Sequence, residues 1–350
     1  MTLNINSKNE LLEFLNKKKI KFEKNFDLKI RSWIKAGGIF EFYLQPKNLD
    51  EIREILSFFK RKNLKFYTVG NLSNIIFRDG IIKTPILNLK NYDQIHFDEK
   101  KKDIITVKVS CGVSIFKFVN FVSKNLKITG LEGLVGIPGS LGGAIYMNAS
   151  SYESYISEFL TEVEYINKFG EISILNKKNL KMNWRSSIFH EMDDVIILKA
   201  IFEFPKNNVR SLESINNKIE KTRNHRSKFQ EKKFPNLGSL FATKDLYRDI
   251  KNFNFFYNFL YFLNKYSSKV ILKFLNENHL IYFRKILVLL YSFLFNIKKR
   301  DPFILSDKTI NCLINNGSNN ANDAIKTIKK IQKKIGNSQK LENILIEDIE

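Results

Sequence analysis

The stretch with the most chemistry in it is "GLEGLVGIPGSLGGAIYMNAS", Gly130 to Ser150. The chain has only 15 glycines, and six of them (Gly130, Gly133, Gly136, Gly139, Gly142 and Gly143) crowd into this stretch. Glycine admits positive φ and lets a ligand come into contact with main-chain N–H groups. Consecutive N–H groups in such a loop form a concavity suited to a pyrophosphate. Neither GxGxxG after a strand nor GxxxxGK[ST] is present, so the two common nucleotide fingerprints are missing. Tight turns and close packing alone would also use such glycines. A cradle needs a second wall, and "TVGNLSN", Thr68 to Asn74, offers one. It follows a strand and puts Gly70, Ser73 and Asn74 in a turn with hydroxyl and amide donors.

Other chemistries are poorly provided for. The two cysteines, Cys111 and Cys312, form no CxxC, and the four histidines do not cluster, so no protein-bound metal is expected. So few thiols suit a reducing cytoplasm, the expected location. The opening "MTLNINSKNE" has no apolar core of a secretory signal. The longest apolar runs, "NFNFFYNFLYFLN" and "ILVLLYSFLFNI", are too short to span a bilayer, so no membrane span is expected.

The elements that must position the two loops follow from periodicity. A capping box, Ser7 to Glu10, opens a short helix. "IFEFYLQP" alternates as a strand and stops at Pro46. "NLDEIREILSFFK" repeats apolar residues at helical spacing, and "KFYTVG" is a strand entering the first loop. "DIITVKVSCG" is a strand before the helix-like "VSIFKFVNFVSKNL" and the glycine segment. "TEVEYINKFGEISIL" reads as a hairpin turning at Phe169-Gly170, and "DVIILKAIFEFP" as a buried strand closed by Pro205. A helix, "SLESINNKIEKTRNHR", leads out. Beyond it come "FPNLGSLFA", an aromatic helical stretch over residues 253 to 297, "FILSDKTINCLINNG" and the helix "ANDAIKTIKKIQKKI". The order of elements is that of an α+β protein.

The formal charge is +22, from 58 Lys and Arg against 36 Asp and Glu. That field attracts polyanions: nucleic acid, a membrane surface or phosphorylated ligands. The basic runs lie far apart, which fits solvated faces better than one nucleic-acid surface, and no nucleic acid is expected as a partner. Residues 253 to 297 read either as helices packed on the rest of the chain or as an exposed aromatic surface.

Taken together, "GLEGLVGIPGSLGGAIYMNASSY", "VGNLSN", the glycine pair after Ala36, "NWRSSIFH", "RSKFQEKKFPNLGSLFA" and "SDKTINCLINNGSNNANDAIKTI" resemble, in order, the motifs of the UDP-N-acetylenolpyruvoylglucosamine reductases. The resemblance covers most of residues 30 to 240 and 303 to 335. It implies a two-part FAD-binding α+β domain of the PCMH/VAO type, residues 1–90 and 91–206. A third α+β domain, residues 207–350, would bind substrate, with a helical insertion at about 253–297. It implies FAD as cofactor, NADPH as reductant, a UDP-sugar as small-molecule substrate and a monomer. Gly70, Asn71, Ser73 and Asn74 would hold the cofactor from one side. Gly136, Ile137, Pro138, Gly139, Ser140, Gly142, Gly143 and Ala144 would hold it from the other.

The implied reaction adds hydride to C3 of an enolpyruvyl ether and a proton to C2. The enolate formed on the way needs a cation beside its carboxylate and a proton donor within reach of C2. By the resemblance Arg185 is the cation and Ser239 the donor. Arg226 would meet a phosphate of the uridine diphosphate, and Asn148 would touch substrate. The third catalytic group is a glutamate in a C-terminal strand of the form leucine-x-x-glutamate-valine. Here "LENILIEDIE" offers Glu347 or Asp348, and the apolar lead-in favours Glu347. Leu72 stands where the family keeps glycine, which would crowd a pyrophosphate, and Thr309 where it commonly has histidine. Another FAD oxidoreductase of the same fold, a degenerate flavoprotein and a basic nucleic-acid-binding protein are the rival readings.

Overall fold

The computed structural model describes residues 5–99, 101–274, 277–336 and 339–347. Three packed units surround one large cleft.

The first unit opens with α1 (Ile5–Lys17), β1 (Phe22–Asp27), α2 (Leu28–Arg31) and β2 (Ile39–Leu44). α1 begins at Ile5, so Ser7 lies inside the helix and does not cap it. α3 (Leu49–Arg61) shows why its sequence is helical. Asn48 caps it by accepting from Glu51 N, acids fill the first turn and bases the last, and Ile52, Ile55, Leu56 and Phe59 bury one face. Each such side chain contributes about 1.5–3 kcal/mol when taken out of water. β3 (Tyr67–Val69), β4 (Ile75–Phe77), β5 (Ile81–Ile82) and β6 (Ile86–Asn88) follow. The sheet runs β1-β2-β6-β3, with β5 also on β2. β2, β3 and β6 are parallel, which leaves the turn after β3 at one end of the sheet.

The second unit is an antiparallel sheet. It contains β7 (Ile95–Asp98), β8 (Ile104–Ser110), β11 (Leu160–Asn167), β12 (Ile172–Asn176) and β13 (Val195–Pro205) in the order β12-β11-β13-β8-β7. Between β8 and β11 lie α4 (Ile115–Asn120), α5 (Leu141–Tyr146) and the small ladder of β9 (Ser150–Ser151) with β10 (Ser154–Tyr155). The hairpin between β11 and β12 turns as the sequence indicates, with Gly170 at φ +87°. β13 alternates buried and half-buried residues along its whole length. Its Ile196 and Leu198 pack into the core of the first unit, while Ala200, Phe202 and Phe204 fill the core of the second. One strand therefore fixes the two units to each other.

α6 (Leu212–Phe229) packs Ile215 and Ile219 onto the second core, so it belongs with that unit although the sequence boundary was drawn at residue 206. The third unit contains α7 (Leu246–Ile250), α8 (Phe255–Phe274), α9 (Glu277–Leu294), the hairpin β14 (Phe303–Ser306) with β15 (Thr309–Asn315), and α10 (Ala321–Ile335). Its core gathers Tyr257, Tyr291, Phe295, Phe303 and the apolar stripe of α10. The final strand, β16 (Ile344–Ile346), leaves this unit and pairs parallel with β4 of the first. The short apolar run "ILI" suits a strand, but nothing local to it specifies a partner so distant in sequence.

Candidate functional site

A cleft of about 1750 Å³ lies where the three units meet. The first loop, residues 70–74, leaves β3 and is pinned from below by Asn88 of β6. The Asn88 amide donates to Val69 O at 2.9 Å and Gly70 O at 2.8 Å. The second loop, residues 136–140, runs into α5. There Ser140 Oγ accepts from Gly143 N at 3.2 Å, and Leu141 N donates to Val113 O.

The two loops touch. Ser73 Oγ donates to Pro138 O at 2.7 Å, across 65 residues of sequence. A Cβ on Gly70 would lie 2.5 Å from Ser140 Oγ and would have to displace that hydroxyl from its bond to Gly143 N. Gly136 is left-handed at φ +86°, a second position where an L side chain would be strained. Gly133 is different. A Cβ there would run into the Ser151 carbonyl, so this glycine serves packing. Close packing therefore accounts for Gly133, while Gly136 borders the cleft. All twelve residues expected to hold the cofactor border the cleft.

Leu72, expected to crowd a pyrophosphate, borders the cleft and is largely buried. It adopts φ +55°, the conformation its glycine counterpart would take, and its side chain is 5% exposed within the core that includes Phe40 and Phe77. The left-handed backbone costs roughly 1–2 kcal/mol, offset by burying the leucine.

Arg185 borders the cleft from the second unit. Its backbone is left-handed, φ +52°. Asn148 holds that turn: its amide donates to Asn183 O at 2.8 Å, and it is buried and outside the cleft lining. Asn148, expected at the substrate, is thus placed behind the arginine. Arg185 Nη1 donates to Ser150 Oγ at 3.1 Å, and Nε lies 2.8 Å from Glu342 Oε1.

A carboxylate not singled out from the sequence, Glu342, stands beside Arg185 on the cleft. Its side chain and that of Arg185 are 16% and 15% exposed. Burial pushes its carboxyl above the usual range, and the arginine pulls it part of the way back. The expected acid, Glu347, lies away from the cleft lining and pairs with Lys329 at 2.6 Å, half exposed. Asp348 lies outside the described residues. The physical reason is register. Glu342 N donates to Leu240 O and Ala242 N to Lys340 O, which docks the acid beside the serine segment before β16 begins. Reading inward from the apolar "ILIED" overshoots it.

Ser239 lies on the cleft in the turn after Gly238, which is at φ +74°. Asn311 of β15 fixes this turn through Leu240 N to Asn311 O and Phe241 N to Asn311 Oδ1. Asn343 then joins the serine turn to the first loop. Its amide donates to Asn74 Oδ1 at 2.8 Å and to Ser239 O at 3.1 Å, while Asn74 donates to Glu342 O at 2.8 Å.

Arg226 is buried, and its Nη groups are committed to Gly133 O, Ser151 Oγ and Gln230 Oε1. Burial lowers its pKa. In this structure it braces the glycine segment and also borders the cleft, where a phosphate contact is expected. The cleft is nonetheless basic: twelve Lys and Arg residues border it against five Asp and Glu. Among the described residues no His, Cys, Asp and Glu group could hold a metal.

Two facing loops whose main chain lines one cleft, joined at Ser73 and in close approach at Gly70, suit the diphosphate of a dinucleotide. A family model described as an FAD binding domain matches residues 40–176, and the chain is a flavoprotein of that class. UDP-N-acetylenolpyruvoylglucosamine reductase 2 of Bacillus thuringiensis is 34% identical over 214 residues, 61% of this chain and 67% of the relative. The reductase of Lactiplantibacillus plantarum is 30% identical over 63% of this chain and 70% of its own length. The chain belongs to the UDP-N-acetylenolpyruvoylglucosamine reductase family. In fold it is similar to the solved reductase of Thermus caldophilus, at TM-score 0.62 and 18% identity, over 93% of this chain and 98% of that one.

Proposed function

We propose that the chain is the reductase that converts UDP-N-acetylglucosamine enolpyruvate to UDP-N-acetylmuramate, with FAD as cofactor and NADPH as reductant, in peptidoglycan precursor synthesis. The observation that carries this reading is the meeting of Ser239, Arg185 and Glu342 on the cleft bordered by both flavin loops. The bound flavin supplies the hydride. Everything else is the work of side chains.

Hydride addition at C3 puts negative charge on C2 and the adjoining carboxylate. Arg185 is the cation for that carboxylate, and its guanidinium geometry suits two oxygens. Ser239 donates its hydroxyl proton to C2. A hydroxyl is a weak acid, yet it serves when the acceptor is a strongly basic carbanion. Glu342 acts through Arg185, fixing its Nε edge at 2.8 Å so that the rest of the fork is presented in one orientation. Glu342 does not stand at the glutamate of leucine-x-x-glutamate-valine, where Leu341 puts Ile344, so its proposed role is to orient the arginine. The basic lining supports a substrate with two phosphates. Cys111 and Cys312 are unpaired and buried, which suits the cytoplasm as the site of reaction.

Ser239→Ala tests the reading. The variant should bind FAD and bleach with NADPH as the wild type does, while turnover of the enolpyruvyl substrate falls by roughly 10²–10⁴-fold. Unchanged turnover would remove the serine from the mechanism.

A further inference from the structure

The helical hairpin of α8 and α9 is amphipathic in the reverse of the usual sense. Its buried side, with Tyr257, Leu260, Leu287 and Tyr291, completes the third core. Its outer side is also apolar. On α8, Phe255, Phe259, Phe262, Tyr266 and Val270 recur at four- and three-residue steps, hence on one face, and all are exposed. On α9, Tyr282, Ile286, Leu289 and Phe293 do the same, with Phe255 at 78% and Phe293 at 82% exposure. Scattered surface apolar residues are ordinary, but a continuous face of this kind marks an interaction surface.

The charge around that face selects its occupant. Residues 251–300 contain nine Lys and Arg and a single acid, Glu277. Lys265, Lys269 and Lys273 are exposed at four-residue intervals along the flank of the α8 face, and Lys285 is exposed on α9. A second copy docking face to face would bring two such basic surfaces together, and like charges across an interface are unfavourable. Among the described residues no helix is long and apolar enough to cross a membrane, and α8 carries lysines along its length. Aromatic residues on one arc with lysines at its edge instead match a helix lying in the plane of a lipid headgroup layer.

We propose that α8 and α9 form an in-plane docking surface for an anionic lipid bilayer, so that the enzyme works as a peripheral protein at the membrane face. The aromatic arc enters the headgroup boundary, and the flanking lysines pair with anionic headgroups. This inference does not depend on which reaction the cleft performs.

The test is sedimentation of the full flavin-loaded chain with phosphatidylcholine vesicles, with and without phosphatidylglycerol. The expected result is at least roughly tenfold tighter association with the phosphatidylglycerol vesicles, weakened by salt. Phe259→Asp with Phe293→Asp should abolish it, and Lys265→Glu with Lys269→Glu should erase the preference for anionic lipid. The flavin spectrum of each variant, unchanged from wild type, reports an intact fold. No association, or equal association with both vesicle types, overturns the proposal. So does light scattering that finds a stable dimer without lipid which Phe293→Asp dissociates, since the face would then belong to a second copy.

Discussion

Replacing Arg185 by methionine tests the central electrostatic claim of the site. The side chain keeps its length and loses its charge, leaving Glu342 mostly buried without its cation at 2.8 Å. Removing one partner of a buried pair costs about 3–5 kcal/mol. Here each side chain is about one-sixth exposed, and the carboxylate can escape by taking a proton, so a loss of about 2–3 kcal/mol near pH 8 is expected. The pH dependence follows from the direction of the shift. Burial already holds Glu342 above the ordinary carboxylate range, and the arginine opposes it. Without Arg185 the folded-state pKa rises further, so the folded variant binds a proton that the unfolded chain releases. Its stability is then retained below the ordinary carboxylate pKa of about 4.3 and falls as pH rises through the raised folded value. Denaturant melts at about pH 5 and about pH 8 should show a small loss at the lower pH, about 1 kcal/mol from the missing bond to Ser150, and the larger loss at the higher. Arg185→Met/Glu342→Gln should recover most of the pH-dependent part without recovering turnover. Equal losses at both pH values, or a double variant no more stable than the single one, would refute the pairing.

Three other outcomes are expected. Gly70→Ala pushes a methyl group into Ser140 Oγ and should part the flavin loops, so the purified protein should show at least tenfold weaker FAD binding by absorbance titration. Asn343→Leu leaves Asn74 Oδ1 and the Ser239 carbonyl without their donor; unfolding free energy should fall by about 1–3 kcal/mol, and FAD should dissociate faster. Arg226→Met should cost about 2–3 kcal/mol of stability by unbracing Gly133 and Ser151, with KM for the UDP-sugar within about threefold of wild type; a tenfold rise in KM would return this arginine to the substrate.

What could be read in the chain itself was whatever is decided locally. α3 is set by its own cap, terminal charges and apolar stripe, and the β11–β12 hairpin by its turn. The flavin loops were legible because glycine requirements and strand ends are local as well. Residues whose role depends on a remote partner were not. Nothing near Arg226 indicates that its guanidinium will be consumed by Gly133, ninety-three residues away. Asn148 resembles a ligand-facing amide because the turn it clamps, at Asn183, lies thirty-five residues away. Glu342 was passed over for Glu347 because the apolar run suggested where a strand lies, while the acid's neighbours Leu240 and Arg185 decide which carboxyl is taken into the cleft. Leu72 shows the same limit in reverse: its backbone angle obeys the glycine rule, yet only the folded core shows where its side chain goes.

The bond from Asn74 to the Glu342 carbonyl spans 268 residues, and the strand just beyond it completes the edge at β4. During synthesis the segment matching the FAD binding domain can assemble its sheets long before that clasp exists, because closing so wide a loop must wait for the far end to emerge. Firm retention of the prosthetic group should then depend on the segment from Glu342 to Ile346 being available to close on the first unit. Released chains truncated after Lys340 should retain the yellow cofactor far less firmly than chains carrying the stretch through Glu347.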